Sequence, residues 1–479
     1  MKRKVLSFDF GASSGRAIIF EYDDGKLDWH EISRFATRQS EYNGALWWDY
    51  NHIFDFVDKA VATAVSEGVE SVGIDTWGCD FALVDGDKVV VPPLYYRDRH
   101  IFGAAEKESD KMPFEWIYSK TGIQKMDINT VYRFDVLDNL SPGWRTAGGH
   151  ALLMADLVAW HLTGKMRTEL TNASTTGMLS PYTREFDDEI LGALRLKKEF
   201  FAPLIYPGEI YGRIVSTDIP LIAVCTHDTA SAVASVPADK DKFAYVSSGT
   251  WSLFGTERSR PETSPEAMAM NFTNEIGFGG TIRLLKNIMG LWILQEFRRN
   301  LAGKGKKIEF PEMAALARGA RCEGIINPDD AMFMSHGDIA AAVDAYMSAT
   351  GQPLPSDDAQ RLRLIYESLA LAYKNTLQKL EKLTGESYDV LHIVGGGSRD
   401  EFLSQLTADT TGRTVVTGPT EATATGNALV QLMALGEISD LAAARAIVKA
   451  NVKTKLYVAN DDSPLNEKFT LFQQLTEDK

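Results

Sequence analysis

Apolar and polar residues alternate over residues 5–10, stop at Gly11, and resume with apolar residues over 16–22. A period of two on both sides of a Gly- and Ser-rich break predicts two strands joined by a tight turn. The period then changes. Ile53, Phe54, Val57, Val61, Ala64 and Val65 recur at helical spacing, with Asp49 placed to cap that helix and Gly68 to stop it. Residues 72–75 read as a short buried strand and 81–84 as another, followed by a hairpin turn at Asp85-Gly86-Asp87. Strands alternating with helices predict an α/β layered fold.

The second half repeats this grammar. Residues 243–246 are strand-like, Ser247-Ser248-Gly249-Thr250 is a turn of small residues, and residues 251–254 resume the strand. The likeness to residues 5–20 suggests two related strand–turn–strand units. Between them lies the polar stretch Pro237-Ala238-Asp239-Lys240-Asp241-Lys242, which reads as a hinge between domains. Later, Leu362, Ile365, Leu369, Tyr373, Leu377 and Leu380 predict a helix that stops at Gly385. A strand over 390–394 runs into Gly395-Gly396-Gly397. Ser398 then precedes Glu401 by three, a capping-box pattern for a helix ending near Gly412.

Composition narrows the class. The 479 residues are 44 % hydrophobic and 24 % charged, as in an ordinary soluble enzyme of two to four domains. A net charge of −15 argues against a nucleic-acid or membrane-surface partner, since both present negative charge. Cys79, Cys225 and Cys322 are too few and too scattered for a disulfide framework, and no zinc-type spacing occurs. Met1-Lys2-Arg3-Lys4 leads straight into a strand pattern without an apolar leader core, so the expected compartment is cytoplasmic.

Six stretches can carry chemistry. Asp9-Phe10-Gly11-Ala12-Ser13-Ser14-Gly15-Arg16 combines small residues, which let a phosphate approach backbone N–H groups, with a strand-end carboxylate suited to a Mg²⁺ hydration shell. A plain hairpin would look the same, and the motif is no Walker A loop. Ser247-Ser248-Gly249-Thr250-Trp251-Ser252 repeats the chemistry in the other half. Cys225-Thr226-His227-Asp228-Thr229 joins a strand to a helix, where Asp228 either accepts a hydroxyl proton during phosphoryl transfer or caps the helix. Gly395, Gly396 and Gly397, with residues 421–427, leave room for an adenine ring or for close strand–helix packing. If residues 286–295 are helical, Asn287 and Gln295 stand about 12 Å apart along the axis. At Ile74-Asp75-Thr76-Trp77-Gly78-Cys79-Asp80, Trp77 offers a face to a sugar and Asp75 or Asp80 an acceptor for its hydroxyls, unless the Trp is simply buried.

In this order the motifs resemble the FGGY carbohydrate kinases, within the sugar kinase–Hsp70–actin superfamily, from about residue 5 to residue 435. The resemblance implies two actin-like (ribonuclease H-like) α/β domains with a deep interdomain cleft. Residues 1–238 would be mainly sugar-binding and 239–479 mainly ATP-binding. It implies ATP and Mg²⁺ as cofactors, with L-rhamnulose as the expected small-molecule sugar and L-fuculose or a xylulose as alternatives. A non-catalytic, nucleotide-gated binding protein is the distant alternative. The implied roles are Asp228 as proton acceptor and Asp9 toward the metal. Ala12, Ser13, Ser14, Gly15, Arg16, Thr250, Gln295 and one of Gly395, Gly396 and Gly397 would hold ATP. Gly78, His227, Asp228, Thr229 and Asn287 would hold the sugar. The family tends to read Tyr-Arg-Asp-Ser-Arg where this chain has Tyr96-Arg97-Asp98-Arg99-His100, so a contact from the second Arg of that motif is not carried over.

Overall fold

The computed structural model describes residues 2–239, 242–334, 337–460 and 465–477. Lys240 and Asp241 of the expected hinge lie outside the described residues. The chain forms two compact units. The first holds Met1–Pro237, Glu257–Leu284 and Ala422–Asn451; the second holds Ala238–Thr256, Leu285–Glu421 and Val452–Lys479.

In the first unit, Arg3–Phe10 and Ser14–Asp23 form the expected hairpin, extended by Lys26–Ala36. On its other side Arg3–Phe10 pairs in parallel with Ser71–Thr76, which pairs in parallel with Pro220–Ile222. Ile210–Arg213 completes the six-stranded sheet. Parallel neighbours require crossovers, and the strands they join are buried on both faces. Leu6, Phe8 and Phe10 are accordingly fully buried, and they pack with Ile53, Val57 and Val61 of the helix Tyr50–Ser66. That helix starts where the sequence places it: the Asp49 carboxylate accepts from the His52 N–H, and Gly68 takes a left-handed φ of 79° just past its end. A separate three-stranded sheet (Lys88–Val91, Phe81–Asp85, His150–Leu153) carries the hairpin expected at residues 85–87.

The helix Ala422–Ala434 packs against the helix Asp228–Ala234 of the same unit. Gly426 makes this possible: a Cβ there would stand 1.8 Å from the Ser231 carbonyl oxygen. Gly426 therefore serves close helix–helix packing. Asn427 and Gln431 on this helix reach the strands of the sheet. Asn427 Nδ2 donates to Asp75 Oδ2 at 2.7 Å, and Gln431 Nε2 donates to the Leu6 carbonyl at 3.0 Å.

The second unit repeats the motif. Ala244–Ser248 and Ser252–Arg258 form an antiparallel hairpin, and Ala244–Ser248 pairs in parallel with Val390–Val394. Thr414–Thr417 and Lys455–Tyr457 extend that sheet. The long helix Asp358–Thr384 is capped by Asp357 and ends at Gly385, φ 68°. The helix Glu401–Thr411 ends at Gly412, but its cap differs from the expected box. Asp400 accepts from the Phe402 and Leu403 N–H groups, while the Ser398 hydroxyl turns back to the Gly395 carbonyl at 2.7 Å. Asp400 supplies two bonds to the helix end and leaves Ser398 free to close the glycine turn. All three cysteines are free. Among the described residues no helix is long and apolar enough to cross a membrane.

Candidate active site

In the first unit, strand register places the charged groups side by side. Asp9 pairs with Arg16 across the hairpin and with Asp75 across the parallel pair. The Arg16 guanidinium forms an ion pair with the Asp9 carboxylate. Asp75 is fully buried; its Oδ1 has no hydrogen-bond partner among the described residues. Burial, then the neighbouring charge of Asp9, push the Asp75 carboxyl well above its usual range, and Asp228 adds to the effect.

The turn between these strands is anchored from outside. Gly11 N–H donates to the Ser14 carbonyl, and the Thr37 hydroxyl donates to the Ala12 carbonyl at 2.7 Å. Ser13 is exposed at its tip. Gly15 has a packing reason of its own: a Cβ would stand 2.3 Å from the rings of both Phe10 and Phe35.

The loop carrying Asp228 is held by a carboxylate that sequence reasoning missed. Glu169 is fully buried, and its Oε2 accepts from the Thr226 N–H at 3.1 Å and the Thr226 hydroxyl at 2.6 Å. The Thr226 carbonyl accepts from the Thr76 N–H at 2.8 Å, which ties the loop to the strand Ser71–Thr76. Asp228 is the first residue of its helix; the cap position belongs to His227, whose side chain makes no capping bond. The reading of Asp228 as a cap is thus replaced. Its side chain is about one-third exposed, and its Oδ1 accepts from the Thr229 hydroxyl at 3.1 Å and from the Thr229 N–H.

His227 Nδ1 lies 3.0 Å from Arg283 Nη2 and 3.3 Å from Glu275 Oε2, and its Nε2 lies 3.5 Å from Asp228 Oδ1. Arg283 and Glu275 carry no motif that would have flagged them. Gly78 closes this side: a Cβ there would stand 2.8 Å from Thr175 Oγ1.

Asp80 and Trp77 do not serve as expected. Both are buried; Asp80 Oδ2 accepts from the indoles of Trp77 at 2.8 Å and Trp48 at 2.6 Å, and Asp80 pairs with Arg133. Trp77 packs on Trp48 with ring centroids 4.4 Å apart, so neither its face nor Asp80 is open to a sugar. In the departing motif, Arg97 lies over the Tyr96 ring, His100 Nδ1 meets Asp98 Oδ1 at 2.7 Å, and Arg99 donates to the Gly44 carbonyl.

In the second unit a pocket of 620 Å³ gathers Gly249, Gln295, Gly396 and Gly397. Phe310, Arg318, Arg399 and Phe402, none of them singled out in the sequence, are also among its lining residues. The Thr250 hydroxyl donates to Gln295 Oε1 at 3.4 Å, and the Trp292 N–H donates to the Thr250 carbonyl at 3.0 Å. Gly395 has φ 83°, and a Cβ on Gly397 would stand 2.0 Å from Ser248 Oγ, so the glycine turn lies tight against the serine turn. Asn287 and Gln295 are not on one helix. Asn287 is on the strand Ile282–Ile288 and Gln295 on the helix Trp292–Gly303, and Asn287 does not line this pocket. Gly290 makes the corner between them; a Cβ there would stand 2.5 Å from Ser252 N.

Two α/β units, each a hairpin beside a parallel strand and each carrying small-residue turns at its strand ends, define an actin-like (ribonuclease H-like) architecture. The chain matches the N-terminal domain of the FGGY family of carbohydrate kinases over residues 4–233 and the C-terminal domain over 244–435. A rhamnulokinase from Bacteroides thetaiotaomicron is 41 % identical over 477 residues, covering 96 % of this chain and 97 % of its own. The chain belongs to the FGGY family and is an ATP-dependent carbohydrate kinase. Solved structures share the fold: a gluconate kinase from Lactobacillus acidophilus at TM-score 0.79 and 17 % identity, covering 99 % of this chain and 96 % of that one, and a Plasmodium falciparum glycerol kinase with ADP at 0.78 and 15 %, covering 99 % and 98 %.

Proposed function

We propose that this kinase transfers the γ-phosphoryl group of ATP to L-rhamnulose, giving L-rhamnulose 1-phosphate and ADP. The observation that carries the sugar assignment is the full-length identity of 41 % to a rhamnulokinase. We assign residues 1–238 mainly to the sugar and 239–479 mainly to the nucleotide.

Asp228 is the proposed general base. It is partly exposed, and Thr229 occupies its Oδ1, which leaves Oδ2 to take the proton of the attacking hydroxyl. Gly78, His227, Thr229 and Asn287 are the proposed sugar contacts. Thr250, Gln295, Gly395, Gly396 and Gly397 are assigned to the nucleotide, with Ala12, Ser13, Ser14, Gly15 and Arg16 on its phosphates. The 620 Å³ pocket supports the purine side of this assignment, because it joins glycine backbone to the apolar walls of Phe310 and Phe402.

The donor set at Asp9 fits Mg²⁺. The ion takes one or two carboxylates and keeps water and phosphate oxygens for the rest, so the Asp9 carboxylate at its strand end can serve as the single protein donor. Bound there, Mg²⁺ would neutralise charge on the nucleotide phosphates. The remaining work is positioning by the protein's own groups.

A coupled ADP-release assay with L-rhamnulose, L-fuculose, D-xylulose, L-ribulose and glycerol tests the reading. L-rhamnulose is expected to give the highest kcat/KM. A higher value on another ketose refutes the substrate and spares the family. ATP hydrolysis indifferent to every sugar would favour a nucleotide-gated binding protein.

A further inference from the structure

The group behind His227 has a direction built into it. Arg283 is fully buried and its guanidinium carries only donors. Its Nη2 reaches the Ile276 carbonyl at 3.3 Å and His227 Nδ1 at 3.0 Å. A ring nitrogen that faces a guanidinium N–H must offer a lone pair; a proton there would point at another proton. The alternative partner for an Nδ1 proton is Glu275 Oε2 at 3.3 Å, but that oxygen is in no hydrogen bond among the described residues. Glu275 acts instead on Arg283, with Oε2 3.1 Å from Nη2. Burial alone would raise the Glu275 pKa, but the charge of the Arg283 guanidinium opposes it and the carboxyl lies below its usual range, so the carboxylate stays charged and balances the buried guanidinium.

We propose that Arg283, backed by Glu275, is a positioning residue that fixes His227 as the neutral Nε2–H tautomer, with that N–H turned toward Asp228. The Nε2 proton then faces Oδ1, the oxygen Thr229 already engages, and Oδ2 is the one carboxylate oxygen left for the sugar hydroxyl. The catalytic part of this inference rests on Asp228 being the base; the tautomer does not. A second-layer group that selects which imidazole nitrogen carries the proton is a general device for orienting a histidine.

Two measurements test it. In ligand-free wild-type protein labelled with ¹⁵N-histidine, and assigned by comparison with His227→Gln, two-bond ¹H–¹⁵N correlations should show Nδ1 as the unprotonated nitrogen and Nε2 as the protonated one. A protonated Nδ1 overturns the proposal. The double variant Glu275→Gln/Arg283→Met removes both charges together and leaves none unpaired. It should lose the single tautomer and lower kcat by about 10- to 10²-fold, the cost of a misplaced reacting group, with the KM for ATP unchanged. His227→Gln, whose amide N–H₂ replaces the Nε2 donor, should retain more activity than His227→Asn. A folded double variant with wild-type kcat, or the reverse order of the two His227 variants, sinks the positioning role. If Asp228→Asn proves fully active, the base assignment falls, while the tautomer still stands or fails on the spectrum alone.

Discussion

Glu169 holds Thr226 twice, through its backbone N–H at 3.1 Å and its hydroxyl at 2.6 Å, with one carboxylate oxygen. Thr226 stands two residues before Asp228, so a buried acid 59 positions upstream sets where the proposed base begins its helix. Thr226→Val keeps the shape and removes the hydroxyl. A hydrogen bond to a charged group contributes roughly 1.5–3 kcal/mol, and the variant should lose about that much in urea unfolding. It should also lower kcat, because the loop is freed at its anchor. Unchanged stability would show that the hydroxyl bond adds nothing to the anchor, which then rests on the Thr226 N–H alone.

Asp228→Asn preserves shape and the bonds from Thr229 but cannot accept a proton. We expect kcat to fall roughly 10²–10⁴-fold, with sugar and ATP affinity far less affected. Rapid-quench and equilibrium binding measurements separate the two effects. Full activity in this variant would end the general-base assignment.

Gln295→Ala removes a polar group from the pocket that also holds Gly396 and Gly397. One hydrogen bond of about 1.4 kcal/mol corresponds to a tenfold change, so the KM for ATP should rise about tenfold. The KM for the sugar should stay near wild type. A selective loss of sugar affinity would place Gln295 on the other substrate.

Gly426→Ala distinguishes packing from nucleotide binding. Its Cβ would collide with the Ser231 carbonyl, a backbone atom that cannot swing away. Overpacking of this kind costs about 1–3 kcal/mol or more, and thermal unfolding should report it. The KM for ATP in the folded fraction should not change; a pure ATP defect with normal stability would favour the adenine-side reading of residues 421–427.

Asp156 gives the chain a pH-dependent term. It is fully buried, and burial first, then the nearby Glu169 charge, raise its carboxyl well above the ordinary 3.8. The native state therefore keeps a proton that the unfolded state has released. The stability tied to that proton is complete below about 3.8 and falls as pH rises toward the native value. For one proton the slope is about 1.4 kcal/mol per pH unit. Asp156→Asn has no such proton to lose. Its urea midpoint should decline less than that of the wild type from pH 4 upward. Parallel curves would show that Asp156 ionises normally.

Much of this protein was legible locally. The hairpins, the Asp49 cap, the stops at Gly68, Gly385 and Gly412, and the strand before the three glycines depend on residues within a turn or two of each other. Short-range periodicity and cap chemistry report such features directly. The conditional reading of 286–295 as one helix, which the structure does not meet, shows the limit. Its apolar spacing suits a helix, but the register of a strand and the contact of Gly290 with Ser252 decide it, and that contact spans 38 residues. The return of Ala422–Asn451 to the first unit was not visible for the same reason. Nor were Glu169, Glu275 and Arg283 as the supports of the loop at 226–228: a lone buried charge has no pattern along the chain, and only folding brings in the partners that make its burial tolerable. The sequence by itself determined the class of chemistry, through short motifs whose residues act where they stand. Tertiary structure alone decided what holds those motifs in place, because burial and hydrogen bonding are settled between residues that the chain keeps far apart.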